Sequence, residues 1–351
     1  MIRTTLVAGI CLLVAAAAME AGARNAEEYR TLIEAATATR PGYQEESWAA
    51  VTELNEEISE SGVNEVLYTT ALEMYRASDS SWSVKSYCMY ILAESGTDEA
   101  FAIIAPLARE GNWRALEVAS IFGERSIPIF RETLYRYDGR HPEWALAVDA
   151  LSLFAEQGTP ILLDYLSGQV SGRRRPDRVE YLITALGFTG DARAVPVVLE
   201  FTDDAPVKVR RAAYQGLQVP RNNFNAPPHF NAYKMDDYAT VKAMEEAARK
   251  GLQDADEVIQ AECVRVLGEM AYVKEDFSFL DYLEQEALSN SAPIRQAAEF
   301  ARASLRHVQE IRERERLGRA SSSLTDCKPN WWHEWRAEQE AERSPRQKTT
   351  E

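Results

Sequence analysis

The hydrophobic positions of this chain recur at helical spacing, and one pattern returns along it. In Val209-Arg210-Arg211-Ala212-Ala213-Tyr214-Gln215-Gly216-Leu217, apolar or small residues stand at the start and again three, four, seven and eight positions on. That spacing lines one face of an α-helix and leaves Gln215 off it. The same template fits at Val84, Ala115, Ala147, Val179, Ile259 and Ile294. Successive starts lie about 31, 32, 32, 30, 50 and 35 positions apart, so one step is longer by roughly half a repeat and the others cluster where helical-repeat periods lie. An earlier copy starts near Val51, with Leu54 and Ile58 in register and Trp48 just ahead.

A second helical stretch precedes each template: Val63 to Arg76, Glu99 to Glu110, Ile127 to Tyr137, Thr159 to Leu166, Ala192 to Phe201, Tyr238 to Leu252 and Phe277 to Leu288. Short turns carrying Gly, Asp, Ser or Pro join the two stretches. In Thr202-Asp203-Asp204-Ala205-Pro206 the proline suits the first turn of a helix and the aspartates its N-terminus. The predicted unit is a helical hairpin. A chain of 351 residues would ordinarily split into two domains, but stacked hairpins bury their faces against neighbours and can run as one long unit.

The stretch from Leu199 to Leu217 resembles the bacterial HEAT-like repeat, including the type found in phycobilisome lyases. Leu252-Gln253-Asp254-Ala255-Asp256-Glu257 leading to Val266-Leu267-Gly268 resembles it too, as does Leu288 to Leu305. The likeness covers most of residues 45 to 306, strongest from Val179 onward and degenerate before Ala147. It implies an all-α fold: a right-handed α-solenoid of about eight HEAT-like hairpins over residues 24–306. The resemblance further implies that the second helices line the concave surface, commonly with a protein-binding role. Lyase members handle bilin chromophores, and no position here carries that activity over.

Two places break the pattern. Residues 219–236 hold Val219-Pro220-Arg221-Asn222-Asn223-Phe224-Asn225-Ala226-Pro227-Pro228-His229-Phe230-Asn231-Ala232-Tyr233, and the prolines and asparagines there exclude a regular helix. Phe224, His229, Phe230 and Tyr233 are costly to leave in water, so this insertion either packs on its own array or binds a partner. After Leu305 the charges alternate, as in Gln309 to Arg316, and residues 307–319 are expected to form a solvated helical extension. Residues 320–351 form a Ser-rich linker and a tail in which Trp331, Trp332 and Trp335 crowd together. That tail is expected to dock either on the chain's own array or on a partner.

The N-terminus is of another kind. Arg3, an apolar run from Leu6 to Val14, an alanine run and Ala21-Gly22-Ala23 make residues 1–23 a secretory signal peptide cleaved after Ala23. The apolar run is shorter than a membrane span. The chain is therefore expected to be exported, periplasmic or secreted, with no membrane span in its mature form. Its formal charge of −16 is unchanged by the cleavage and repels a phosphate backbone, which excludes nucleic acid as a partner. Cys88 and Cys263 sit at apolar template positions and read as core side chains, without a disulfide framework.

Catalytic spacing is absent. The histidines His141, His229, His307 and His333 have no His or Cys partner at metal-ligand distance along the chain, and no Gly-rich phosphate cradle or nucleophile elbow occurs. Neither a metal, a cofactor nor a catalytic residue is assigned. Candidate partner-binding residues lie elsewhere. Arg173, Arg174, Arg175 and Arg178, with Lys208, Arg210 and Arg211 one repeat on, form either a basic ridge for an acidic partner segment or anionic glycan, or a ladder of internal ion pairs with Asp177, Asp191, Asp203 and Asp204 at the adjacent turns. Trp82, Trp113 and Trp144, with Trp48, each lie two or three positions ahead of a template start. They form either an exposed aromatic ridge or seals over the core. The leading expectation is an exported, non-catalytic protein-interaction scaffold or adaptor. The alternatives are a module binding carbohydrate or cell-envelope polymer through the Trp and Arg positions, and a lyase-like or hydrolytic enzyme with residues 219–236 as its lid.

Overall fold

The computed structural model describes residues 24–38, 44–137, 139–171, 176–217, 238–274 and 276–316. Residues 1–23, expected to be a signal peptide, Arg173, Arg174, Arg175, the insertion with Phe224, His229, Phe230 and Tyr233, and the tail with Trp331, Trp332 and Trp335 lie outside the described residues. All secondary structure among the described residues is helical, so the fold is all-α. Backbone contacts divide the chain into two compact units, Met1–Thr133 and Leu134–Glu351.

In the first unit the helices are α1 (Ala26–Ala36), α2 (Gln44–Ser61), α3 (Glu65–Arg76), α4 (Trp82–Glu94), α5 (Asp98–Arg109) and α6 (Trp113–Ala119). Helix α7 (Ile127–Arg136) straddles the division. Side chains start these helices where the sequence offers a cap. Asn64 accepts from the Leu67 amide, Ser81 from Val84, Thr97 from Ala100, and Asn112 from Arg114 and Ala115, each satisfying amides that have no partner inside the helix. The repeat template does not foresee α1. It forms because Asn25 and Glu28 make a reciprocal capping box, and because Tyr29, Ile33 and Ala36, at helical spacing, are buried. Helix α1 packs on α2 and so supplies the first helix missing from the copy near Val51, while α3 packs on α4 and α5 on α6. After α6 the chain tightens into a 3₁₀ segment, Ser120–Ser126, and turns at Gly123 with φ 66°, a conformation that costs a residue with a Cβ.

The second unit continues with α8 (Pro142–Leu153), α9 (Ala155–Ser171), α10 (Pro176–Thr189), α11 (Val195–Glu200), α12 (Val207–Gly216), α13 (Tyr238–Gly251), α14 (Glu257–Lys274), α15 (Phe279–Glu286) and α16 (Ala292–Arg316). Helix α9 is longer than the expected Thr159 to Leu166, and α16 runs through the alternating charges to Arg316 without a break. Helix α9 packs on α10, α13 on α14 and α15 on α16, and the template helices also pack on one another in the order α8, α10, α12, α14, α16. Their template positions form the core: Val179, Leu182, Ile183 and Leu186 of α10, and Val209, Ala212, Ala213 and Leu217 of α12, are buried. Each fully buried branched side chain contributes on the order of 1.5–3 kcal/mol.

Small residues on the template helices have a separate purpose. Gly187 of α10 faces Gly216 of α12, and a Cβ on Gly187 would overlap the Gly216 backbone. Gly268 of α14 meets Ala301 of α16 in the same way. These helices approach until backbone touches backbone or methyl, which the larger residues of the template forbid. Cys88 and Cys263 are buried free thiols, and burial pushes the Cys88 thiol up to about 12. Among the described residues no helix is long and apolar enough to cross a membrane.

Candidate binding groove

Helix α10 carries two stripes. Its core stripe is Val179, Leu182, Ile183 and Leu186. The second stripe, Asp177, Glu180, Tyr181, Thr184 and Phe188, steps by three, one, three and four residues and so lies along another face of the same helix. Because α10 lies between α8 and α12, this stripe forms the floor of a groove whose sides come from those neighbours. The cavity measures about 430 Å³ and is lined by Asp149 of α8, by Asp177, Glu180, Tyr181, Thr184, Ala185 and Phe188 of α10, and by Lys208 of α12. Sites for small ligands have volumes of about 300–1,000 Å³.

The repeat sets the groove's internal geometry. Asp149 and Tyr181 each lie two positions after their template starts, Ala147 and Val179, so stacking places them side by side. The Tyr181 hydroxyl donates to Asp149 Oδ1 across 2.7 Å. Burial pushes the Asp149 carboxyl above its ordinary range, and the hydrogen bond from Tyr181 offsets part of that. Tyr181 is pushed up as well, first by burial and then by its bond to the carboxylate, so it remains a neutral donor. Behind it the Trp144 ring lies 5.4 Å from the Tyr181 ring, and Trp144 Nε1 donates to the Tyr165 hydroxyl at 3.1 Å. At the N-terminal end of the floor Lys208 Nζ stands 3.7 Å from Asp177 Oδ1. At the other end the Phe188 side chain is 43% exposed. Among the described residues the lining thus combines Asp149, Asp177 and Glu180 with the ammonium of Lys208 and the Phe188 ring.

The arginines singled out from the sequence are engaged within the chain. Arg210 Nε and Nη2 grip both carboxylate oxygens of Asp254 at 2.9 and 3.2 Å, and its Nη1 donates to the Asp204 and Ala205 carbonyls. Arg211 holds Asp256 in the same two-point manner at 2.9 and 2.5 Å. Asp254 and Asp256 precede α14, so these arginines clasp the turn of the following hairpin. An internal ladder was one of the two readings of this cluster; the partners of Arg210 and Arg211 are in the next repeat rather than Asp203, which pairs with Lys250, or Asp191, which pairs with Arg193. Arg178 lies against Gly139 and donates to Gln169 Oε1 at 3.3 Å.

The tryptophans divide. Trp82 and Trp113 open α4 and α6 directly after their caps, are 56% and 45% exposed, and stack on each other with ring centroids 5.7 Å apart at 29°. Trp48 is also exposed. Trp144 corrects the expectation of a partner-binding residue: it is 2% exposed and seals the core beneath Tyr181, because its indole nitrogen finds an internal acceptor in Tyr165. Asp149, Glu180, Tyr181, Thr184 and Phe188 were not foreseen as a site. Their signal was present as the second stripe of α10, but a mixed polar and aromatic stripe on a helix ordinarily reads as a solvated face.

Among the described residues no three His, Cys, Asp or Glu side chains converge as a metal site. Comparison with models of protein families and with curated proteins gives no match.

Proposed function

We propose that this chain is an exported, non-catalytic interaction scaffold, a right-handed α-solenoid of about eight HEAT-like hairpins that holds a partner protein on the exposed face of its second helices. The observation that carries this reading is the groove along α10, where three successive template helices bring carboxylates, a phenol, an ammonium and an aromatic ring into one cavity. The pairing of α1 with α2 supports the repeat count, since it completes the copy near Val51. The groove's chemistry is that of recognition: carboxylates that accept, a hydroxyl held neutral, and apolar surface.

A second reading, binding of a carbohydrate, draws on Trp82 and Trp113. Their exposure favours it, but each ring gives one face to the other, which halves the surface open to a sugar ring. Site-specific photo-crosslinking separates the two. With a photoreactive side chain at Thr184, the mature chain is expected to capture one protein from its own exported fraction, and with the same group at the exposed Gln215 it is expected to capture none. No adduct from Thr184, together with retention of the chain on cell-envelope polysaccharide that Trp82→Ala abolishes, would favour the carbohydrate reading. Turnover of a captured molecule that Asp149→Asn abolishes would favour an enzyme.

A further inference from the structure

The first described residues form a latch, and it lies directly after the bond at which residues 1–23 are expected to be removed. We propose that the Ala23–Arg24 bond is a processing site that a signal peptidase cuts before the first hairpin closes, because the folded hairpin withholds the residues on its C-terminal side, an inference that rests on the export part of the reading above and not on what the groove binds.

Two residues set the latch. Arg24 extends its guanidinium to α2, where Nη1 donates to Glu57 Oε2 and Nη2 to Glu53 Oε1. Glu53 and Glu57 are four positions apart and so share a face of the helix, which lets one planar fork engage both. The other Glu57 oxygen accepts from the hydroxyl of Tyr29, a side chain of α1 that is fully buried. Asn64 Nδ2 donates to that hydroxyl at 2.6 Å, while Asn64 Oδ1 caps α3 at the Leu67 amide across 2.9 Å. Arg24 is thereby joined by one run of hydrogen bonds to α2, α1 and the start of α3. Asn25 is held as firmly. Its Oδ1 accepts from the Glu27 and Glu28 amides at 2.9 and 3.1 Å, its own amide donates to Glu28 Oε2 at 2.8 Å, and the helix begins at Ala26.

Hydrolysis at this bond adds one water across the Ala23 carbonyl carbon and the Arg24 nitrogen, leaving a carboxylate on Ala23 and an ammonium on Arg24. A peptidase performs it on a segment drawn out through its active site, so the hydrogen bonds and burial of the neighbouring backbone decide access. Here the two residues after the bond are held by side chains, and the third begins a helix. Releasing them breaks the Arg24 fork and the Asn25 box and disturbs Tyr29. Cleavage of a folded chain therefore follows the small fraction in which the first hairpin is open. An unfolded chain has no such restraint. After the cut, the new ammonium stands two residues before a helix whose first turn carries Glu27 and Glu28, carboxylates that offset its unfavourable place at a helix N-terminus.

The test uses the full chain of 351 residues and purified signal peptidase in detergent micelles, with products read by mass spectrometry. Chain diluted straight from denaturant into peptidase is expected to yield a product beginning at Arg24. Chain refolded beforehand is expected to yield the same product about tenfold more slowly or less. The double variant Glu53→Gln with Glu57→Gln is expected to shrink that ratio about threefold or more, with the circular dichroism of the parent. Asn25→Ala, which removes the box and leaves the ion pairs, is expected to shrink it too, and carries the test if the double variant does not fold. Leu217→Ala, in the second unit, is expected to leave the ratio unchanged; an equal effect there would replace the latch by general instability and overturn it. Equal rates before and after refolding, or a ratio that the latch variants do not alter, would overturn the latch and leave export standing. A product beginning at another residue overturns the assigned bond. No cleavage of the unfolded chain would remove the latch and the export reading together, whereas capture at Thr184 depends on neither.

Discussion

Helices α10 and α12 are neighbours built on one template, and they treat their outer faces in opposite ways. Both bury the template start and the positions three and four after it, touch at Gly187 and Gly216, and belong to consecutive hairpins. On α12 the outward charges are committed: Arg210 and Arg211 close onto Asp254 and Asp256 of the following turn. On α10 the outward stripe lines a groove, where Tyr181 donates across to Asp149 of α8 and Phe188 is partly exposed. A shared core stripe therefore says how hairpins stack, and the outer stripe distinguishes a hairpin that fastens the array from one that presents a surface.

The largest effect should come from the stripe the two helices share. Leu217→Ala on α12, at a position 1% exposed, is expected to cost about 2–5 kcal/mol in chemical denaturation. Next comes the point where the two helices touch. Gly187→Ala places a methyl against the Gly216 backbone, and is expected to cost about 1–3 kcal/mol through overpacking. Full stability in that variant would mean that α10 and α12 do not meet there.

The clasps should show themselves by pH. Hydrogen bonds from Arg210 and Arg211 hold the Asp254 and Asp256 carboxyls below their ordinary value of 3.8. Their contribution is therefore complete above that value and is lost as the pH falls through the lowered folded values. Arg210→Ala is expected to cost about 1–2 kcal/mol at pH 7, and the difference from the parent chain should shrink as urea melts are taken below pH 3.8.

Asp149 should behave in the opposite sense. Its carboxyl is raised above 3.8 by burial, so whatever it adds to stability is present below that value and is lost as the pH rises through the raised folded value. Asp149 is exposed, so solvent screens this effect, and Asp149→Asn is expected to leave the melting temperature at pH 7 unchanged. A clear loss of stability would make Asp149 a fastening residue like Asp254 and erase the contrast between the two helices. The smallest effect is reserved for Gln215→Ala, off the shared stripe and exposed, which should change stability by under about 0.5 kcal/mol. An effect there as large as at Leu217 would mean that the helix register is wrong.

The helices were legible in the sequence because amphipathic spacing is a local property. Positions three and four apart must share a face whatever the partner, so Val209, Ala212, Ala213 and Leu217 could be assigned to the core before any neighbour was known. Capping was equally local: the Asn25 to Glu28 box that starts α1 is written in four adjacent residues. The fate of an outward side chain is decided by the neighbouring helix, and here the sequence fell silent. Trp113 and Trp144 occupy nearly equivalent places ahead of their templates. Trp113 stacks on Trp82 at the surface, while Trp144 lies under Tyr181 with its nitrogen bonded to Tyr165. Arg211 and Tyr181 hold the same template position in consecutive repeats, yet one is clasped by Asp256 and the other donates to Asp149 across the groove. The sequence by itself determined an all-helical chain, its hairpin rhythm and its buried stripes. Which outward charges would meet, and which would remain open as a groove, only the tertiary structure decided, because ion pairs and cavities depend on residues about 30 to 45 positions apart that stacking brings within a few ångströms.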